Sequence, residues 1–179
     1  MRIIAGTHRG RPLVAPKGEA TRPTADRVRE ALFSMLVSRL GGFEDLAVGD
    51  LFAGSGALGF EALSRGAASC LFVEHDKAAL DALRANAAKL GIKPDIRAQS
   101  VLTLGPATAP LDLILMDPPY GTGAGVVALE RMARLGWVGA GTWVSIETAH
   151  AEQLSVAGFV NDAERVHGKA RLTLLRRES

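Results

Sequence analysis

Ten residues, Asp50-Leu51-Phe52-Ala53-Gly54-Ser55-Gly56-Ala57-Leu58-Gly59, constrain this chain more than any other stretch. Glycines 54, 56 and 59 fall between an apolar, β-prone run and a helix-prone one. Glycine there lets the chain turn sharply after a strand and lets a ligand approach the backbone. The start of the helix that follows offers unpaired N–H groups. Such a turn belongs to a parallel sheet covered by helices, and the chain keeps to that pattern. Short apolar strands at 47–52, 70–74, 95–99, 111–116 and 142–147 alternate with helical segments at 57–65, 77–90 and 124–135, with Gly66 and Gly91 closing the first two. After Glu147 the alternation stops. Residues 159–167, a turn at Gly168 and residues 169–176 then read as an antiparallel hairpin extending one sheet edge. The expected fold is a doubly wound, Rossmann-like α/β domain with a mostly parallel seven-stranded sheet.

Ahead of this domain, residues 1–23 mix short β-prone pieces with Gly6, Gly10, Pro16, Gly18 and Pro23, which reads as an extended or hairpin-like arm. A helix follows Thr24, with Val28, Leu32, Met35, Leu36 and Leu40 at helical spacing and a stop at Gly41-Gly42. At 179 residues the chain suits one hydrophobic core, so residues 24–179 are expected to form a single domain carrying the arm. No apolar run is long enough to span a bilayer, and the first residues lack a secretory pattern, so the expected compartment is the cytoplasm. One cysteine, Cys70, lies inside an apolar strand and reads as core. Four scattered histidines have no ligand spacing, so no metal site is expected.

Net charge is +2, yet residues 1–30 carry seven basic against three acidic side chains and residues 165–179 five against one. Each end is therefore +4, and the middle is −6. Six of the seven N-terminal cations are arginines: Arg2, Arg9, Arg11, Arg22, Arg27 and Arg29. Guanidinium forks suit phosphate, so a polyanion is the expected partner and these six the candidate contacts. Arg22, Arg27 and Arg29 are expected at the start of the first helix, away from its apolar stripe.

Two further features carry chemistry. The second strand ends in Glu74, twenty residues past Gly54, where a carboxylate can accept hydrogen bonds from ribose hydroxyls. Asp50, just before the glycine loop, would repel a pyrophosphate and attract a cation. It favours S-adenosylmethionine over a dinucleotide. The fourth strand runs into Asp117-Pro118-Pro119-Tyr120. Two prolines have no N–H, so the backbone there offers only acceptors. Asp117 and the Pro118 carbonyl can take the two hydrogens of an exocyclic amino group while Tyr120 stacks on the base.

With these motifs the chain resembles the class I S-adenosylmethionine-dependent methyltransferases, and within them the RsmD-type 16S ribosomal RNA guanine-N2 methyltransferases. Matching pieces are Arg2-Ile3-Ile4-Ala5-Gly6 with Arg9-Gly10-Arg11, the run Thr21-Arg22-Pro23-Thr24-Ala25-Asp26-Arg27-Val28-Arg29-Glu30-Ala31-Leu32-Phe33, and Glu61-Ala62-Leu63-Ser64-Arg65-Gly66-Ala67. The resemblance implies that Asp50, Gly54 and Gly56 line the methionine end of the cofactor, that Glu74 holds the ribose, and that Phe52 and Ala53 also bind the cofactor. It also implies that Ser100, Val101 and Asp117 complete the cofactor site, and that Asp117, Pro118, Pro119 and Tyr120 form the catalytic base site. The arginines would track 16S rRNA within an assembling 30S subunit, and the protein would act as a monomer. Many methyltransferases place an acidic residue after the third strand to meet adenine. This chain has Ala98-Gln99-Ser100-Val101 there, which leaves Gln99, Ser100 or the backbone for that task. Rival readings are an amino-methyltransferase acting on adenine or cytosine in DNA, a non-catalytic rRNA-binding assembly factor, and an NAD-dependent oxidoreductase.

Overall fold

The computed structural model describes residues 1–19 and 23–178. Seven strands form one sheet: β1 (Ala47–Leu51), β2 (Ser69–Glu74), β3 (Asp95–Ala98), β4 (Leu111–Met116), β5 (Val138–Ala149), β6 (Phe159–His167) and β7 (Ala170–Arg177). Helices α1 (Pro23–Leu40), α2 (Ala57–Ser64), α3 (Lys77–Leu90) and α4 (Ala124–Arg134) cover its faces. The order is β3-β2-β1-β4-β5-β7-β6. Strands β1 to β5 run parallel, whereas β7 pairs antiparallel with both β5 and β6. The chain steps outward from β1 through β2 to β3 and then returns to the other side of β1 with β4. That reversal opens a crevice at the carboxyl ends of β1 and β4, the place where open α/β sheets bind ligands.

Alternation along the strands divides the core into two layers. Cys70 and Phe72 of β2 and Leu113 and Leu115 of β4 face the layer that buries Leu32, Phe33 and Leu36 of α1, Phe60 of α2 and Leu83 of α3. Leu71, Val73, Ile114 and Met116 face the other, with Leu129 and Met132 of α4. Apolar strands buried on both faces therefore read as continuous runs in the sequence. Third of the loop glycines, Gly59 is a packing position: a Cβ there would lie 2.4 Å from Phe72 Cε1 and 2.7 Å from Cys70 Sγ.

Two boundaries differ from expectation. Strand β5 begins at Val138, because Val138 pairs with Leu111 before a register shift brings Trp143 opposite Leu113. Gly139 and Gly141 interrupt the apolar pattern in that first part, so sequence periodicity finds only the stretch from 142 onward. Helix α1 begins at Pro23, one residue before Thr24; a fixed φ and a missing N–H suit proline to the first helical position.

The N-terminal segment is hairpin-like and packs on the domain. Arg2 and Pro12 form an antiparallel bridge, and Ile3 and Leu13 are buried in the first core layer. Backbone N–H groups of Ile4 and Ala5 donate to the two oxygens of Glu61 at 2.8 and 3.1 Å, and those of Thr7 and His8 donate to Ser64. Val14 exchanges two hydrogen bonds with the Asn86 amide, whose Nδ2 also donates to the Ser55 carbonyl in the glycine loop. Gly6, at φ +89°, passes so close to α2 that a Cβ would lie 1.8 Å from the Ser64 oxygen. Both the positive φ and the contact require glycine.

Candidate active site

At the carboxyl ends of β1, β2, β4 and β5 the sheet opens into a cavity of about 730 Å³, within the size range of small-molecule sites. Its floor is the glycine loop, its far wall Glu74 to Asp76 and Gln99 to Val101, and its lip Asp117 to Tyr120 with Glu147. Met1, Pro16, Asp26 and Arg29 close the opposite side, so the hairpin and α1 form part of the wall. Sequence reasoning placed the first groups here but missed this wall.

The loop is held tightly. Gly56 precedes α2 at φ +83°, where a Cβ would strike Leu83 Cδ1 at 2.4 Å. Phe52 adopts φ +61°, a conformation that costs a bulky residue energy and that tends to mark functional sites. Asp50 is 1% exposed, lines the cavity, and accepts the Gly59 N–H at 2.9 Å. Burial pushes its carboxyl well above the usual carboxylate range, and the nearby charges of Asp117 and Glu74 push the same way against the Gly59 hydrogen bond. A cation arriving in this cavity would be attracted to the ionised form.

Glu74 Oε1 accepts the Gly54 N–H at 2.9 Å, and Oε2 accepts those of His75 and Asp76, each at 2.9 Å. The carboxylate is thus pinned by the loop it faces. Its oxygens keep lone pairs for ligand hydroxyls, since a carboxylate accepts about four hydrogen bonds. Ser100 caps the short turn Val101–Thr103 with its hydroxyl on the Leu102 N–H at 3.2 Å, while the Gln99 amide donates to the Thr103 hydroxyl at 3.0 Å. Of the three candidates for adenine, Gln99 is therefore already engaged through its NH₂ group.

At the lip, Asp117 follows β4 directly and is exposed, Pro118 is buried, and Tyr120 is 46% exposed. The Pro119 carbonyl accepts the Thr122 hydroxyl at 2.9 Å, which leaves the Pro118 carbonyl as the acceptor named beside Asp117. One group here was absent from the sequence reading. Glu147 on β5 lies next to this turn, because Met116 registers with Ile146 and the residues that follow each are Asp117 and Glu147. Its carboxyl is pushed up to about 9, first by burial and then by the neighbouring Asp117 carboxyl, with Tyr120 acting in the opposite direction. Tyr120 is raised in turn by burial and by the charges of Glu147 and Asp117. The signal was available: an acidic residue ends an apolar parallel strand beside the strand carrying Asp117.

The six arginines separate. Arg29 was expected on the surface and is corrected: it is 5% exposed and lines the cavity. Its guanidinium donates to the Arg2 carbonyl and lies 3.4 Å from Asp26 and 3.7 Å from Glu61. At position 29 the helix turns inward, so this arginine joins hairpin, α1 and α2. Arg2 and Arg11 are exposed and donate to the carbonyls of Gly10 and Lys89, while Arg9 and Arg27 are exposed. Arg22 lies outside the described residues.

Comparison with known proteins places this site in a family. A family model described as conserved hypothetical protein 95 matches residues 1–176. Ribosomal RNA small subunit methyltransferase D of Escherichia coli K12 is 34% identical over 183 residues, covering 100% of this chain and 91% of that protein. The protein of the same name from Haemophilus influenzae is 37% identical over 154 residues, covering 83% and 78%. The solved structure of the Escherichia coli protein yhhF superposes with a TM-score of 0.85 at 32% identity, covering 100% of this chain and 98% of that one. The match includes the N-terminal hairpin as well as the cavity, and on these grounds the chain belongs to the conserved hypothetical protein 95 family, together with the ribosomal RNA small subunit methyltransferases D.

Proposed function

We propose that this protein transfers a methyl group from S-adenosylmethionine to the exocyclic N2 of a guanine in 16S rRNA, acting as a monomer in the cytoplasm on an assembling 30S subunit. The observation that carries the reading is the acceptor set at the lip: Asp117, the Pro118 carbonyl and the Tyr120 ring stand at the edge of a cavity that Asp50 and Glu74 also line. These two carboxyls suit the cofactor. Asp50 and Glu74 favour a ligand bearing positive charge and vicinal hydroxyls, and Ala53 and Gly54 line the cavity beside them, whereas Gly56 packs on Leu83 and Phe60 and shapes the turn from behind. Asp50, Phe52, Ala53 and Gly54 would hold the methionine end, Glu74 the ribose, and Ser100 and Val101 the base. When bound, S-adenosylmethionine supplies an electrophilic methyl on a positively charged sulfur.

The protein's own part is to prepare the nitrogen. A guanine amino group is conjugated with its ring and is a weak nucleophile. Asp117 and the Pro118 carbonyl accept its two hydrogens, which favours the pyramidal geometry in which the lone pair is free. Tyr120, half exposed, stacks on the base and offsets part of the few kcal/mol needed to unstack it. Holding the nitrogen in place supplies much of the rate. Asp117 takes the surplus proton after transfer. Exposed Arg2, Arg9, Arg11 and Arg27 contact RNA phosphates.

The test is transfer of labelled methyl to small ribosomal subunits from cells lacking this modification, followed by digestion to nucleosides. Labelled N2-methylguanosine is the expected product. Label in another base would leave an amino-methyltransferase of different specificity, and no label in rRNA would move the protein toward a binding role.

A further inference from the structure

Glu147 is unexplained by the chemistry above. It stands on β5, level with Asp117 across the β4–β5 pairing, and lines the cavity at its lip. It shares the cavity lip with both groups assigned to the target base, Asp117 and Tyr120, and the charges of Glu147 and Asp117 raise Tyr120 while Asp117 raises Glu147. Two carboxyl groups side by side at the ends of paired strands cannot both ionise readily; they share one proton. We propose that Glu147 is a positioning residue for methyl transfer: as the protonated member of the pair it donates to the Asp117 carboxylate and accepts the Tyr120 hydroxyl, fixing the two side chains that hold the base. This inference rests on the function proposed above and adds a residue to it.

Glu147 thereby resolves a difficulty in the base site. Asp117 is exposed and follows the last residue of a strand, where a lone carboxylate would sample several rotamers. One hydrogen bond from Glu147 leaves its second oxygen to receive the base. Tyr120 likewise keeps a half-exposed ring for stacking while its hydroxyl is tied down. Other titratable groups line the same cavity: Asp50 on β1, Glu74, His75 and Asp76 at and after the end of β2, Glu19 before α1, and Asp26 with Arg29 on α1. Glu152 shares a small neighbouring pocket with Glu147 from the turn after β5, and one of its oxygens accepts the Gly121 N–H. On β7 the partner of Glu147 is Leu172, and the next residue, Arg171, is committed to Glu164 and the His150 carbonyl. Among the described residues carboxylates outnumber the arginine that lines the cavity, which keeps the proton of the pair in place at neutral pH.

Ionisation of Glu147 in alkali puts a second negative charge beside Asp117 and drives the two apart. Transfer by the wild type should therefore fall on the alkaline side of the pH profile, around 9. Glu147→Gln is the informative variant: its NH₂ donates to Asp117, its carbonyl accepts Tyr120, and it cannot ionise. It should keep turnover at neutral pH and lose that alkaline limb. Glu147→Ala should lose turnover on the order of 100-fold, the scale of a misplaced reacting group, with cofactor KM unchanged. Equal loss in the Gln and Ala variants would overturn the proposal. So would an alkaline limb that persists unchanged in Glu147→Gln, since guanine's own ring N–H also ionises in alkali.

A second readout needs no substrate. Tyr120 is the sole tyrosine of the chain, so tyrosinate absorbance reports on it alone. Wild-type Tyr120 should ionise above the usual value, and Glu147→Gln, which keeps the burial but removes the charge that Glu147 gains in alkali, should lower it part of the way back. Identical titrations in the two proteins would refute the contact. Wild-type protein that methylates no rRNA would instead refute the proposed function, and the tyrosine titration would still decide the pairing.

Discussion

Replacing Glu61 with glutamine tests whether the N-terminal hairpin is held by one buried carboxylate. Glu61 is fully buried on α2. Its oxygens accept the N–H groups of Ile4 and Ala5, pair with Arg65 Nε at 2.9 Å and lie 3.7 Å from Arg29 Nε. Glutamine has the same shape but only one acceptor oxygen. Its NH₂ must face either a backbone N–H or a guanidinium, donor against donor. An unpaired buried N–H costs about 1–3 kcal/mol and a lost hydrogen bond to a charged group about 1.5–3 kcal/mol. Arg65 is 16% exposed and can turn to water, which recovers part of the second amount. The net loss should be about 3 kcal/mol, and with a urea slope of about 2 kcal/mol/M the unfolding midpoint should fall by about 1.5 M. Amide exchange at Ile4 and Ala5 should accelerate more than exchange in β1 or β4. A midpoint shift below about 0.3 M at unchanged slope would refute the reasoning, because it would mean that water or the two arginines already satisfy those N–H groups.

Other consequences follow from the site. Asp117→Ala should abolish transfer while leaving cofactor affinity within a few-fold, measured by turnover and by calorimetry; a parallel loss of both would contradict its role at the base. Replacing Arg9 and Arg27 together should weaken RNA binding and lower the salt slope by about 1–2, read from affinity against ionic strength, whereas an unchanged slope would remove them from the interface. Asp50 should release a proton when the cationic cofactor binds, so affinity should rise with pH, and calorimetry in buffers of different ionisation enthalpy measures the proton. In the free protein the raised Asp50 carboxyl keeps its proton where the unfolded chain has lost it. That contribution to stability is complete below the ordinary carboxylate range and fades as pH rises through the raised value, so Asp50→Asn should flatten the decline seen in urea titrations.

Much of the sheet was legible because its strands are buried on both faces. Leu111 to Met116 reads as a single apolar run for that reason, and the core layers on either side of β4 account for it. The glycine loop was legible because its residues have local causes: a positive φ at Gly56 and a close helix–sheet contact at Gly59. Strand β5 was only half visible. Its first residues, with Gly139 and Gly141, gain their strand geometry from Leu111 across a register shift rather than from their own preference. Positive φ at Phe52 has no local signature either, since nothing in a phenylalanine announces a left-handed backbone.

The arginines and Glu147 show where reading by composition stops. Arg29 carries the same charge as Arg27 two positions away, but the helix turns one to solvent and the other beneath the hairpin. Nothing in the charge pattern separates them; the turn of a helix whose buried face was only partly identified does. Glu147 is the converse case, a polar residue that served in the sequence only to mark where the strand–helix alternation stops. Both belong to a cavity wall assembled from segments far apart in the chain. That wall changes how the N-terminal residues are understood. Met1, Pro16, Asp26 and Arg29 border the same space as Asp50 and Asp117, and Asn86 ties Val14 to the Ser55 carbonyl of the glycine loop. A segment bonded to that loop and buried through Ile3 and Leu13 cannot leave without unmaking the floor of the cavity. Cleaving it should therefore impair cofactor binding before it impairs RNA affinity, the reverse of the order expected for a free basic arm.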